Sequence, residues 1–276
     1  MNRFDRAFTR ALALGVCASL LMAPSASCTK NPAKINWKLV WQDEFSGAAG
    51  QSPDPSRWGF DVGTDWGNGQ LEYDTARPVN VSLDGAGNLA ITARLESYLG
   101  RTYTSGRINT RGRFEQAGGR FEARMRLPRG QGMWPAFWLL GSNLATVPWP
   151  GCGEIDIMEF RGQEPSLVHG SLHGPGYSGG SAVTQSYAVP GAPLDAGFHL
   201  YAVEWSSSTI TWFVDGGVFA TATTSNLPGG APWVFSHPFF IILDLAVGGG
   251  FVGPPDANTT FPQQLLVDYV RVYRRD

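Results

Sequence analysis

The sequence predicts an all-β fold, a sandwich or jelly roll made of two antiparallel sheets. Segments of strand length with alternating apolar and polar residues recur along the 276-residue chain, whereas long helical periodicity is absent. The 35 glycines and 19 prolines suit a fold with many tight turns. Many short strands separated by such turns are typical of sandwiches and jelly rolls.

The N-terminus has the layout of a secretory signal peptide. Three arginines precede the apolar run 11–23, and small residues follow at 24–27. The run is too short to span a bilayer as a mature helix. We therefore expect residues 1–27 to be removed near Cys28 and the mature protein to be secreted, into the periplasm or the extracellular space.

The mature chain is predicted to hold a linker at 28–36 and one domain at 37–276. Cys28 could instead carry a lipid anchor, which Ser25 disfavours. Cys17 is removed with the signal peptide and Cys28 lies at the expected cleavage point, so Cys152 has few or no partners. This argues against a disulfide framework.

The balance of charge restricts the partners. The chain has 21 basic and 23 acidic residues and no basic cluster, so nucleic acids and anionic membranes are disfavoured. Neutral polymers remain open as ligands, and we expect a monomer. The sequence shows no His/Cys cluster with ligand spacing, which disfavours zinc.

The individual strands are predicted from local patterns. In 119–127 polar and apolar residues alternate, and 201–205 with 209–214 form a hairpin across a serine run. The turn 215–217 leads into a strand at 218–222. The run 239–247 is apolar throughout, as expected for a strand buried on both faces, and the last strand is 266–273.

The segment 153–160 is the most informative. Glu154 and Asp156 share one face of a strand there, while Ile155 and Ile157 point to the core. Charges on a hydrophobic strand are costly unless they line a cleft or find partners. An exposed edge strand with solvated acids is the alternative, but the isoleucines indicate a central strand.

Glu159 has the wrong parity to join the other two acids. Counting by twos from Glu154 reaches Met158, so a regular strand turns Glu159 to the opposite face. A β-bulge near Ile157 and Met158 would bring Glu159 back, and bulges are common beside active sites. We therefore predict an irregularity between Asp156 and Glu159.

Several segments in the same order resemble glycoside hydrolase family 16, specifically its laminarinase-like branch, which carries the extra Met. The acid motif is EIDIME at 154–159. The other matching segments are WQDEF at 41–45, GNGQLEY at 67–73, TSGRI at 104–108, GMWPAFW at 132–138, LHGPGYSGG at 172–180, LAVGG at 245–249 and VDYVRVY at 267–273.

This resemblance implies a β-jelly roll with a concave substrate groove, in which 37–276 is the catalytic domain. It also implies hydrolysis of β-glucan with retention of configuration. By matching position, Glu154 is the nucleophile, Glu159 the general acid/base and Asp156 the assisting carboxylate. Three adjacent acids cannot all ionise cheaply, so at least one pKa should rise.

Sugar contacts are expected from five residues. Trp134 and Trp138 have the same parity in a strand, so both indoles can present their rings to sugars and their N–H groups to hydroxyls. By matching position, His173, Asn68 and Arg107 are expected to bind sugar hydroxyls.

No cofactor is expected for catalysis, but similar enzymes often carry a structural calcium. The matching positions are Glu44 and Asp268, with the backbone carbonyl of Gly87. One departure from the family is Asp244, where members usually carry Asn. A buried carboxylate at this position needs a partner or a proton.

The leading hypothesis is an endo-β-1,3-glucanase that acts on laminarin-type polymers and could also cut mixed β-1,3/1,4-glucan. A glucan-binding protein without catalysis is the alternative from another class, but such proteins lose one or both glutamates, and both are present here. A transglycosylase on the same fold also stays open. Agarase-like and carrageenase-like activities are disfavoured because no basic groove is evident.

Overall fold

Seventeen β-strands form most of the regular structure of residues 36–191 and 193–276, the part of the chain that this computed structural model describes. In chain order they are β1 (Trp37–Asp43), β2 (Gly59–Phe60), β3 (Glu72–Asp74), β4 (Val81–Leu83), β5 (Leu89–Tyr98), β6 (Arg101–Ser105), β7 (Arg107–Asn109), β8 (Gly119–Arg126), β9 (Met133–Gly141), β10 (Glu154–Phe160), β11 (Leu167–His173), β12 (Val183–Ala188), β13 (His199–Trp205), β14 (Thr209–Val214), β15 (Gly217–Thr223), β16 (Phe239–Val247) and β17 (Gln263–Arg275). Two single-turn 3-10 helices, Gly179–Ser181 and Thr224–Asn226, complete the set.

The predicted signal peptide and all of the predicted linker except Asn36 lie outside the described residues. Within those residues, none of the helices is long and apolar enough to cross a membrane.

The strands form two sheets. A ten-stranded sheet has the order β15-β14-β13-β8-β17-β5-β6-β3, with β1 also paired to β17 and β4 to β5. A seven-stranded sheet has the order β12-β11-β10-β9-β16-β7-β2. The pairs are antiparallel except for β3 with β6, which is parallel. The predicted all-β sandwich is confirmed, with this one parallel pair as a local difference.

Alternating side chains build the core between the two sheets. Along β8, Phe121, Ala123 and Met125 are completely buried, and the alternate residues lie on the other face, as predicted: Arg120, Glu122, Arg124 and Arg126. Arg120 on that outer face is bonded to the carboxylates of Glu122 and Glu204. Each sheet therefore contributes one apolar face to a shared interior, which is the main source of stability in such a fold.

The strand β16 is buried on both faces, also as predicted. Alternate residues, among them Leu243 and Leu245, belong to the main core between the sheets. Ile242 and Ala246 instead belong to two small clusters on the far side of the seven-stranded sheet. We call that far side the open face, because the other sheet does not cover it.

Candidate active site

A β-bulge in β10 brings three acids to the open face. The register with β9 shifts between Asp156 and Met158, and the register with β11 shifts between Asp156 and Glu159. Ile157 and Met158 are consecutive, yet both are buried in the main core. The extra residue restores the parity of Glu159, so the irregularity predicted from the sequence is confirmed.

The bulge is supported from the opposite sheet. The indole Nε1–H of Trp212 on β14 donates to the main-chain oxygen of Asp156 at 2.8 Å, across the core. A bulge removes ladder partners from the backbone, and this indole supplies one. Gly170 on β11 makes room for it, since a Cβ there would lie 2.6 Å from two atoms of the Trp212 ring. This contact could not be predicted from local sequence patterns, because its members lie far apart in the chain.

Glu154 is the first residue of β10 and has two polar neighbours. Its Oε2 accepts the Trp149 indole N–H at 2.9 Å, and its Oε1 lies 3.5 Å from Nε2 of His173. Burial, followed by the charge of Asp156, raises the pKa of Glu154 to about 8. Trp149 was not predicted as part of the site.

Asp156 is the most enclosed of the three acids, with 4% of its side chain exposed. Its Oδ2 lies 3.0 Å from Nε2 of His173. Burial, followed by the charge of Asp244, holds the pKa of Asp156 well above its usual range. Asp156 therefore tends to keep a proton between the two glutamates.

Glu159 is held by two donors. The Trp134 indole N–H donates to Oε1 at 3.1 Å, and the Ser171 hydroxyl donates to Oε2 at 3.3 Å. Burial, followed by the charge of Asp156, raises the pKa of Glu159 to about 8. The expectation that at least one pKa in this motif rises is thus confirmed for all three acids.

His173 faces the acids rather than open solvent. Its Nδ1 accepts the backbone N–H of Gly179 at 3.1 Å, so in the neutral ring Nε2 carries the hydrogen. That nitrogen lies 3.5 Å from Oε1 of Glu154 and 3.0 Å from Oδ2 of Asp156. One ligand atom from each of these three residues lies within 4.8 Å of the other two, so the group has the donors of a small metal site.

Trp134 and Trp138 lie on the open face together, as their parity predicted. Trp138 packs beside one of the small clusters there, and Trp134, which is 8% exposed, belongs to the other, against Phe251. Both indole N–H groups are already used inside the protein, by Glu159 and by Asp244 respectively. The expected bonds from these N–H groups to sugar hydroxyls are therefore replaced by internal ones.

Arg107 lies between two indoles. Its guanidinium carbon is 4.8 Å from the ring centroid of Trp138 and 5.0 Å from that of Trp66. Its Nε is 3.0 Å from a carboxylate oxygen of Asp61. Asn68 is exposed in a nearby loop, where its carbonyl accepts the Gly250 N–H at 2.7 Å. Trp66 and Asp61 were not singled out in the sequence.

A second group of buried acids lies beside Arg107. Oε2 of Glu72 accepts the Val247 N–H at 2.7 Å, Asp74 accepts the Trp66 indole at 2.8 Å, and Asp244 accepts the Trp138 indole at 2.7 Å. Burial is the first cause that raises their pKa values, to about 7 for Glu72, to about 6 for Asp244 and well above the usual range for Asp74. Only Asp244 of the three was noted from the sequence.

The predicted calcium ligands lie in one region of the ten-stranded sheet. Strand β17 pairs with both β1 and β5, which brings Asp268 near Glu44 and the turn that contains Gly87. Both carboxylates, however, have cationic partners. Glu44 accepts two bonds from Arg271 at 2.7 and 2.9 Å, and Asp268 accepts one from Arg124 at 2.6 Å. As arranged, these carboxylates do not fit a cation, which leaves main-chain carbonyl oxygens as the available ligands.

The chain is similar to known proteins in both sequence and fold. Residues 60–271 match the model of the glycosyl hydrolases family 16. A beta-glucanase of Rhodothermus marinus is 42% identical over 96% of this chain and 93% of its own length. The endo-beta-1,3-glucanase of Pyrococcus furiosus is 43% identical in its crystal structure, covers 88% of this chain and 96% of its own, and has a TM-score of 0.83. A non-specific endo-beta-1,3(4)-glucanase of the same family is 34% identical with a TM-score of 0.78, over 88% of this chain and 96% of its own.

Proposed function

The chain belongs to family 16 of the glycosyl hydrolases, and from this membership we propose that it cuts internal β-1,3 bonds of a laminarin-type glucan through the acids of β10. The observation that carries the proposal is the bulge between Asp156 and Glu159. It places on one face two glutamates that a regular strand would separate, and a retaining hydrolase needs its two carboxyl groups on either side of one bond.

The proposed reaction is a double displacement. Glu154, as the carboxylate, attacks the anomeric carbon while the protonated Glu159 gives its proton to the departing glucosyl oxygen. Glu159, now ionised, then takes a proton from water, and the water oxygen displaces Glu154 from the sugar. The configuration is inverted twice and therefore retained.

The neighbours of the acids suit these assignments. Glu154 lies 3.5 Å from Nε2 of His173 and accepts the Trp149 N–H at 2.9 Å, and both neighbours favour its ionised form. Glu159 accepts two longer bonds, from Trp134 and Ser171. Because the pKa is raised to about 8 for both glutamates, the assignment of the ionised one rests on these contacts and not on the pKa values. We propose that Asp156, between them, stabilises the pair by holding or releasing a proton as the charge moves.

A second substrate class is mixed β-1,3/1,4-glucan. The similarity to a non-specific endo-beta-1,3(4)-glucanase favours it as a secondary activity. Linkage preference depends on the loops around a site rather than on the catalytic acids.

The substrate is tested by digesting laminarin, barley mixed-linkage glucan, cellulose and agarose in parallel, with identification of the oligosaccharides. We expect short oligosaccharides from laminarin from the first minutes, slower release from mixed-linkage glucan, and little action on cellulose. The variant Glu154→Gln serves as the control for contaminating activity. Rapid hydrolysis of cellulose with laminarin untouched would contradict the proposal.

A structural calcium is a separate proposal. It is supported only by the main-chain oxygens that β1, β17 and the turn at Gly87 bring into one region of the ten-stranded sheet, because the carboxylates of Glu44 and Asp268 are engaged by arginines. An ion bound only by the folded chain raises its stability, so chelator should lower the melting temperature while activity at low temperature stays. Glu44→Gln should not abolish this effect, since the Glu44 carboxylate is occupied by Arg271. An unchanged melting curve, with no metal found by elemental analysis, would dismiss the calcium.

Secretion is likewise proposed from the N-terminal sequence alone. The basic start, the apolar run 11–23 and the small residues at 24–27 support cleavage near Cys28. The soluble form is favoured over a lipid-anchored one because Ser25 suits lipidation poorly.

A further inference from the structure

Asp244 lies in the open face, between the acids of β10 and Arg107. In the ladder of β16 with β9 it pairs with Ala136, whose partner on the other side is Glu159. In the ladder of β16 with β7 it pairs with Arg107. One row of residues thus crosses four strands, from Glu159 through Ala136 and Asp244 to Arg107.

The carboxylate of Asp244 holds the indole of Trp138. Oδ1 accepts the Nε1–H at 2.7 Å, in a site where Asp244 is 6% exposed. The guanidinium of Arg107 covers a face of the same ring, with its carbon 4.8 Å from the centroid. The Asp244 carboxylate therefore holds the edge of the Trp138 ring, and the Arg107 guanidinium covers one of its faces.

The position of Trp138 makes this orientation matter. Trp138 pairs with Asp156 in the ladder of β9 with β10, so its side chain is next to the central acid of the site. Ala136, which lies between Glu159 and Asp244 in the sheet, has a side chain too small to restrain the Trp138 ring. Asp244 supplies the hydrogen-bond acceptor that sets the angle of the indole plane.

We propose that Asp244 is a positioning residue, which orients Trp138 for a sugar ring next to the reacting bond. The sugar and the bond rest on the proposed function, whereas the orientation of the indole does not. A carboxylate suits this task because both of its oxygens accept, so it has no flipped state that offers a donor to the indole. A bond to an ionised acceptor is also stronger than a neutral one.

The orientation is tested without substrate by hydrogen exchange of the indole N–H groups in protein labelled with ¹⁵N tryptophan. The Trp138 signal is identified by its loss in Trp138→Phe. We expect slow exchange at Trp138 in the wild type and in Asp244→Asn, whose amide oxygen can still accept, and exchange about tenfold faster or more in Asp244→Leu. If the leucine variant does not fold, Asp244→Ser replaces it, since the shorter hydroxyl does not reach the indole.

A matched control exists away from the open face. Asp43 on β1 accepts the Trp58 indole N–H at 2.8 Å. Asp43→Leu should speed exchange at Trp58 and leave Trp138 unchanged. Exchange at Trp138 that is equally slow in the wild type and in Asp244→Leu would overturn the proposal, whatever the protein hydrolyses.

The consequence for binding is tested by kinetics on laminarin. We expect Asp244→Leu to raise KM about tenfold with kcat changed less than about threefold, and Asp244→Asn to stay close to wild type. In a Trp138→Phe background, Asp244→Leu should add little, because the group that it positions is gone. An equal rise of KM in both backgrounds would overturn the role.

These measurements separate the two proposals. A wild-type protein that leaves laminarin intact contradicts the proposed function, and the exchange of the Trp138 indole still decides on Asp244.

Discussion

Glu154, Asp156 and Glu159 occupy one small volume, and burial is the first cause of the raised pKa of each. A charge on one acid then raises the cost of a charge on the next. The burial and closeness of these three acids are therefore enough to make them share protons before any substrate binds. The same effect operates beside Arg107, where Asp74 and Asp244 share the charge of a single guanidinium that Asp61 already engages.

The acids themselves could be predicted from the sequence, because three carboxylates among isoleucines have few structural explanations. The groups that hold them could not. Trp149 and Ser171 lie outside the acid motif, and nothing in their local sequence indicates that they donate to Glu154 and Glu159. The bond from Ser171 depends on the register of β11 against β10, and the bond from Trp149 depends on the path of the loop before β10, neither of which local patterns determine.

The roles of the two glutamates can be separated by leaving group. Glu154→Ala should lose activity on every substrate, by roughly 10³-fold or more, because no glycosyl-enzyme forms. Glu159→Ala should lose about 10²- to 10⁴-fold on laminarin and much less on an activated aryl glycoside, whose leaving group needs no proton. Initial rates on both substrates provide the measurement. The opposite pattern would show that the assignment is reversed.

Within strand β10, the bulge could be predicted from the parity of the glutamates, whereas the hydrogen bond from Trp212 that supports the bulge could not. An odd separation between Glu154 and Glu159 is visible in the sequence. The indole of Trp212, which comes from another sheet through the space left by Gly170, is visible only in the fold.

The length of β10 between its acids is itself testable. Deleting Met158 gives regular alternation of Glu154, Asp156 and Glu159, so measurable activity on laminarin should remain at low temperature. Stability should fall by about 2–5 kcal/mol, as for loss of other large core side chains, because Met158 is completely buried. Inserting one alanine after Ile157 should abolish activity.

A matched insertion in the exposed hairpin turn at 206–208 should leave activity intact, because loop tips tolerate added residues. If the insertion after Ile157 stays active while the deletion is dead, the parity argument is wrong.

Across the molecule, alternation and turns were enough to predict the fold class and the approximate bounds of β8 and of β13 to β17. The strand predicted at 266–273 is observed at Gln263–Arg275, and that at 239–247 matches in full. The order of strands within each sheet could not be predicted, since pairing joins segments far apart in sequence, such as β8 with β17. The position of Arg107 among Asp61, Asp74 and Asp244 depends on that order.

The stability of the molecule should fall as pH rises. Glu72, Glu154, Glu159 and Asp244 have raised pKa values, of about 7, 8, 8 and 6, so the folded chain holds protons that the unfolded chain releases from about pH 4 upward. The free energy of unfolding therefore decreases between about pH 4.5 and 8. Carboxyls with lowered pKa, such as Asp84, act in the opposite direction and are already fully ionised in both states by about pH 5.

We expect Glu154→Gln to melt higher than the wild type at pH 8.5, and the difference in melting temperature to grow by about 2–4 °C or more from pH 5, which corresponds to roughly 1 kcal/mol. The exposed Glu115→Gln is the matched control and should show a constant difference. Thermal melts across this range provide the test, and a difference that does not vary with pH for Glu154→Gln would contradict the burial argument.

The bond from Trp212 to the carbonyl of Asp156 has a consequence for how the protein loses activity. It ties the acid-bearing strand to β14, the strand next to the edge of the opposite sheet, so β10 and β14 belong to one cooperative unit. Local opening of the site then requires breaking a contact inside the shared core, at a cost close to that of global unfolding. Heat inactivation should accordingly coincide with melting rather than precede it, and the amide protons of β10 should be among the slowest to exchange with solvent.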